Sequence, residues 1–435
     1  MWSVGAITIG IGILTALLVL PLFWWMCTNV IVGVASILLL LVCETIYVVM
    51  PALRLGILLY PQDFVFALLA LAAVLRFLTV RTVRDIPKAL IVLFVLLFMN
   101  FAIGVVRFGT MAGVEFRPYF YTIVGTLYVM SFPAKSDTYR RLFNAWIIAS
   151  LLVCGVACYR WGMIALGLES YAWMDTTGIE GRVINSGQAL VLTIAVVATL
   201  FGLLQGTVAK GWVTVLPVLL VVIVGSQQRT VWVTTAASVI LVFALAGRGR
   251  GRILVTLGIV GTLGLAVLYP LATGGHLDTA ASSIQTTAAA GLSTRSGTFV
   301  GRMAAWKEHI KDFSSWNPLY QVVGKQFGGG YSVWIGTQEF GNAPHDYYIQ
   351  TMLRAGLLGV GALVATYGFL LFRLFSTAGP MEGAAKVLWV SVAVEMIYSI
   401  TYSPQFAQSI LYGAALAIAT QVPKSSQPAG QPSKT

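Results

Sequence analysis

The chain has 435 residues, of which 58% are hydrophobic and only 10% charged, with a mean hydropathy of +0.86. A soluble domain carries about 25% charged residues, so this composition excludes an ordinary water-soluble fold and makes the bilayer the expected solvent. The net charge of +12 would suggest nucleic acid in a soluble protein. In a membrane protein, Lys and Arg gather in cytoplasmic loops, and no nucleic-acid partner is expected.

A membrane-spanning helix needs about 20 apolar residues. In chain order the stretches that approach this are 4–24, 28–50, 62–80, 87–106, 118–133, 142–159, 186–205, 212–226, 230–247, 253–272, 346–372, 384–402 and 404–420. They predict an all-α polytopic membrane protein with 12 or 13 transmembrane helices, the count depending on the first 50 residues. The first apolar stretch runs directly into the second, so no cleavable signal peptide is expected. The expected organisation is N-terminal helices over 1–180, central helices over 181–272, one large loop at 273–345, C-terminal helices over 346–422 and a tail at 423–435.

Sidedness follows from the basic loops. Arg81, Arg84 and Lys88, then Lys135 with Arg140 and Arg141, then Lys210, then Arg248, Arg250 and Arg252 fall at alternate connections. Short basic loops stay in the cytoplasm, so these connections, Arg373, Lys386 and the tail are expected there. The loops at 51–61, 107–117, 160–185, 227–229 and 273–345 then face outward. Cys27, Cys43, Cys154 and Cys158 lie in apolar stretches without His or carboxylate neighbours and are expected as small buried hydrophobes.

The loop at 273–345 divides into an Ala/Thr/Ser/Gly-rich tract, expected to be mobile, and a segment with Phe299, Met303, Trp306 and Ile310 at helical spacing. The latter predicts an amphipathic helix over 299–312, followed by a flexible glycine turn at 324–330. Short helices in one outward-facing loop are thus expected.

Arginines on the outward side oppose the positive-inside bias: Arg117, Arg182, Arg229, Arg295 and Arg302. Arg229, in Ser226-Gln-Gln-Arg229-Thr230, sits between two apolar stretches, where an ionisable group is costly and marks function. Arg117 is expected to start a helix and to pair with Glu115, and Arg182 is expected to be solvated. His345, in Pro344-His345-Asp346, stands where the loop re-enters the membrane, placed for general-base work near neutral pH. Guanidinium forks facing a histidine suit phosphate oxygens.

In their order, Ser226–Thr230, Gly301-Arg302-Met-Ala-Ala-Trp306, Pro344-His345-Asp346-Tyr-Tyr-Ile and Leu353-Arg-Ala-Gly-Leu-Leu-Gly359 resemble the motifs of the O-antigen ligase and O-antigen polymerase superfamily of bacterial membrane glycosyltransferases. The resemblance covers roughly residues 185–375. It implies metal-independent, inverting transfer of a glycan from undecaprenyl diphosphate, on the periplasmic face of the inner membrane and with no cofactor. It further implies that Arg229 and Arg302 bind the diphosphate and stabilise the leaving group. His345 would orient or deprotonate the acceptor hydroxyl, and Arg117 and Arg295 are further diphosphate candidates. The acceptor is expected to be lipid A-core or a growing glycan, with membrane lipids as surroundings. Where the family commonly has Asn, this chain has Asp346, whose carboxylate is expected to raise the imidazole pKa. Ligase, polymerase with the same donor chemistry and, in a different class, anionic-solute transporter are the three readings; a transporter would place its polar site near the bilayer midplane.

Overall fold

The computed structural model describes residues 19–47, 50–54, 57–80, 86–166, 168, 182–205, 208–273, 298–335, 338–341 and 343–421. The expected mobile tract within 274–297, including Arg295, the beginning of the first expected span and the expected tail lie outside them. In chain order the helices are α1 (Val19–Thr28), α2 (Val30–Ile46), α3 (Pro61–Thr79), α4 (Lys88–Phe108), α5 (Thr110–Met130) and α6 (Ser136–Ala165). The central part contributes α7 (Ser186–Gln205), α8 (Leu216–Gly225), α9 (Arg229–Leu245) and α10 (Arg250–Thr273). Then follow α11 (Thr298–Ser314), α12 (Pro318–Val323), α13 (Tyr347–Phe375), α14 (Glu382–Tyr398) and α15 (Gln408–Ala419). Two antiparallel pairs, Leu53–Arg54 with Leu58–Leu59 and Val333–Ile335 with Gln338–Phe340, make up the described strands.

The all-α expectation holds. Five helices, α3, α4, α6, α7 and α13, are long and apolar enough to cross a membrane, and the α1–α2 pair, bent by 119°, adds a sixth if counted as one span. The expected spans at 212–226, 230–247, 384–402 and 404–420 contain helices of 10, 17, 17 and 12 residues.

The centre of the fold is α7, whose residues 187–202 are all buried. It packs on α6, α8, α9 and α14. Small residues let α15 lie close against α5: a Cβ on Gly413 would come within 2.6 Å of the Thr126 carbonyl oxygen. Such small-residue contacts replace hydrophobic driving force where lipid is the solvent.

Three boundaries differ from expectation. Gly109, at φ 57, turns the chain in one residue, so α5 starts at Thr110 and takes up most of the expected loop at 107–117. Arg117 and Pro118 therefore lie inside α5, not at its start. The helix α6 runs to Ala165 because Arg160, only 3% exposed, finds carbonyl partners in Val183 (2.7 Å), Ile46 (3.2 Å) and Thr45. Finally, α13 is broken at Gly356, whose φ of 67° no side-chain-bearing residue adopts cheaply.

The break receives the loop. Val322 lies against Gly356, and Asn100 of α4 donates to the carbonyls of Val323 (2.7 Å) and Arg354 (2.9 Å). Arg354 pairs with Glu115 of α5 and lies over the Tyr331 ring, 4.4 Å from its centroid. The other Glu115 oxygen accepts from the Gly328 amide at 2.7 Å. The glycine turn at 324–330 is thus anchored, with Phe327 fully buried, where the sequence suggested flexibility. The expected amphipathic helix is α11.

Candidate functional site

Four helices, α7, α9, α13 and α15, begin at one end of the bundle, and α8 and α14 end there. Asn185 precedes α7, Gln228 precedes α9, Asp346 precedes α13, and the 399–407 turn joins the end of α14 to the start of α15. Helix N-termini carry partial positive charge; here Asp346 and Asn185 cap two of them, accepting from the Ile349 and Gln188 amides, both at 2.8 Å.

Local sequence fixes Arg229 at the head of α9. Ser226 caps the end of α8 through Oγ to the Ile223 carbonyl at 2.7 Å. Gln227 then takes a positive φ of 54°, alone among the described non-glycine residues. Such a conformation persists only where its surroundings hold it. Here the Gln227 carbonyl accepts from Arg182 Nη2 at 3.0 Å, and Gln228 Nε2 donates to the Ile184 carbonyl at 3.2 Å. Arg182, expected as a solvated loop residue, is half-buried and belongs to the site.

The turn after α14 is the hub. Thr401 Oγ1 donates to Thr230 Oγ1 at 2.9 Å, tying it to α9. Gln405 Nε2 reaches Asn185 Oδ1 at 3.1 Å, tying it to α7. Arg302, from α11, donates to the Thr401 carbonyl and to the Tyr402 hydroxyl, both at 3.4 Å, and lies 4.8 Å from the Tyr402 ring centroid. Tyr402 in turn stacks on Tyr398 at 5.2 Å and meets the His345 ring edge-on at 6.1 Å. Tyr398 donates to Ser186 Oγ at 3.0 Å.

Arg182, Arg229 and Arg302 act on one another electrostatically: burial lowers the Arg182 pKa, and the other two cations lower it further against a favourable contribution from Tyr402. Among the described residues no carboxylate forms an ion pair with any of the three. Arginines held together without an acid repel one another, and an anion among them would relieve that repulsion.

His345 is held next to this cluster. Partial desolvation of this solvent-facing ring, and then the Arg302 cation, push its pKa below the ordinary 6.5, which favours the neutral imidazole. The rise expected from Asp346 is not among the causes of this shift. Asp346 is 7% exposed and caps α13, accepting from the Ile349 amide at 2.8 Å. Burial pushes this carboxyl up against the backbone N–H groups of Ile349 and Tyr348.

Of the residues picked from the sequence, Arg229, Arg302 and His345 share this end. Arg117 does not join them through any described contact: its Nε lies 3.1 Å from Asp63 Oδ1 and its Nη2 donates to the Leu58 carbonyl at 2.7 Å. It pairs with Asp63, and the expected partner Glu115 is taken by Arg354. Tyr402 and Arg182 were not selected; the signal available was the polar run Ser399–Gln405, with Pro404, between two apolar stretches. Beside the site, a cavity of about 840 Å³ between α11 and α13 is lined by Met303, Trp306, Ile310, Ile349, Met352 and Leu357 among others, and is almost wholly apolar.

The fold and site together define a class: an all-helical protein, with several helices apolar enough to span a membrane, that carries an uncompensated arginine cluster at one end. Compared with protein-family models and with curated proteins, the chain matches none.

Proposed function

We propose that this protein is a membrane glycosyltransferase of the O-antigen ligase type, moving a glycan from undecaprenyl diphosphate to a hydroxyl of lipid A-core at the periplasmic face of the inner membrane. The observation that carries the reading is the convergence of Arg182, Arg229 and Arg302, unpaired with acid among the described residues, on the 227–230 and 401–402 segments beside His345. A diphosphate supplies the oxygens that planar guanidinium forks recognise. The apolar cavity between α11 and α13 suits the hydrocarbon part of an amphiphile. In this reading the short helices pair into further crossings, giving about 12 spans.

His345 accepts the proton of the acceptor hydroxyl. The acceptor oxygen attacks the anomeric carbon, the bond from that carbon to the diphosphate oxygen breaks, and configuration inverts. Charge then grows on the departing diphosphate, where fixed cations contribute most because they need no reorganisation. A polymerase would use the same donor chemistry on a growing glycan.

The test is deletion followed by gel electrophoresis of lipopolysaccharide, with complementation by the wild type and by Arg229→Ala. A ligase leaves bare core and accumulates lipid-linked polymer, whereas core bearing a single repeat marks the polymerase. Full complementation by a variant lacking both Arg229 and Arg302 removes the mechanism.

A further inference from the structure

The turn that carries Tyr402 also walls a second cavity, of about 600 Å³, between α2, α3 and α5. Its polar groups differ in kind from the arginine cluster. Arg117 supplies a cation to the lining, but Asp63 neutralises it at 3.1 Å, and Tyr121 fixes the same carboxylate through a 2.6 Å hydrogen bond. Glu44 brings a further carboxyl group. An anion is therefore poorly matched to this cavity.

What sets this cavity apart is three lining residues with acceptor atoms that lack a partner among the described residues. Gln62 lines it, is 7% exposed, and its buried Oε1 has no hydrogen-bond partner among the described residues. Glu44 Oε2 and Gln405 Oε1 are in the same condition. Buried acceptors in native proteins find donors, and three in one cavity call for a ligand or water rich in hydroxyls. Tyr47, 51% exposed, and Tyr60 add aromatic surface to the lining, against which the C–H face of a pyranose packs. Gln405 also binds Asn185 beside α7, so one turn of chain touches both the arginine end and this cavity.

We propose that this cavity is a sugar-binding subsite, taking a neutral pyranose through Gln62, Glu44 and Gln405 with Tyr47 as stacking surface. That the pyranose belongs to a substrate rests on the transferase reading; the capture of a sugar does not.

The test uses full-length protein in detergent and saturation-transfer NMR, with methyl glucoside, methyl galactoside, N-acetylglucosamine and core oligosaccharide released by mild acid as probes. At least one probe is expected to receive saturation from the wild type, and binding weakens roughly tenfold in Gln62→Leu, the size of one well-made hydrogen bond lost. Tyr47→Ala, on an exposed side chain, weakens it as well without threatening the fold, which circular dichroism and melting verify. In the transfer assay Gln62→Leu raises KM for the acceptor if the acceptor's sugar sits here, or for the donor if the donor's does; either supports the site. No saturation of any probe by the wild type, or equal saturation by wild type and both variants, overturns it. Failure of the transferase reading looks different: the wild type then binds no undecaprenyl diphosphate while the sugar signal and its loss in Gln62→Leu persist.

Discussion

At the scale of single residues, the arginines and the histidine make separable predictions. Arg229→Ala and Arg302→Ala each are expected to keep expression and membrane insertion while lowering transfer by about 10²–10³, the usual cost of one fixed donor at a developing charge. Arg229→Lys is impaired too, since an ammonium lacks the planar fork; full activity in that variant would mean that only charge is needed. For His345, burial and Arg302 both disfavour the imidazolium, so ¹³C-labelled His345 titrates below 6.5 and its pKa rises in Arg302→Gln. The sign carries to catalysis. If His345 is the base of the proposed transfer, it is competent when neutral, so the rate is expected to fall as pH drops through that lowered pKa. An unchanged titration in Arg302→Gln removes the electrostatic link between the two. Much of this was legible in the sequence, because an arginine between two apolar stretches and a histidine at a loop boundary are costly placements. Arg182 and Tyr402 were not, since their importance comes from meeting residues far along the chain. Asp346 was misread because proximity in sequence says nothing of which way a carboxylate turns, and capping α13 took it.

At the scale of elements, the buried Glu115–Arg354 pair joins α5, broken α13 and the glycine turn. The side chains are 12% and 4% exposed. Removing one partner of a buried pair leaves an uncompensated charge and costs about 3–5 kcal/mol. Glu115→Gln is therefore expected to lower the melting temperature in detergent markedly, whereas Arg302→Ala at the half-buried site leaves it nearly unchanged. Equal melting of Glu115→Gln and wild type would show that the loop is held by packing alone. Gly356→Ala acts on the same joint, through the positive φ and a Cβ that would sit 2.1 Å from the Val322 carbonyl oxygen. Helix existence followed from hydropathy, and α11 from its apolar spacing. The break in α13 did not, because Gly356 is one of several glycines in an apolar run and only the packed loop distinguishes it. The start of α5 was obscured by Pro118, which reads as a helix start although the helix begins two turns earlier.

At the scale of the whole molecule, the two ends of α7 have different chemistry, and this gives the protein an expected direction in its membrane. At 20 residues and 1.5 Å each, α7 spans about 30 Å, the thickness of a hydrocarbon core. Its first residues sit among Arg182, Arg229 and the Tyr402 turn. Its last, Gln205, shares a cavity with Ser136, Asp137 and Arg140 at the start of α6 and with Gly379, Pro380 and Glu382 at the start of α14. Near that second end lie Arg141, Arg373 and Lys386, basic residues of the kind that the positive-inside bias assigns to the cytoplasmic side. The arginines at the first end break that bias, which is why they call for a ligand and the others do not. In a cysteine-free background, a single cysteine at Ser403 is expected to react with a membrane-impermeant maleimide in intact spheroplasts. One at Ser136 reacts only after the membrane is permeabilised. Labelling of Ser136 from outside would place the arginine cluster in the cytoplasm, and with it the diphosphate, on the wrong side for transfer to an outward-facing core.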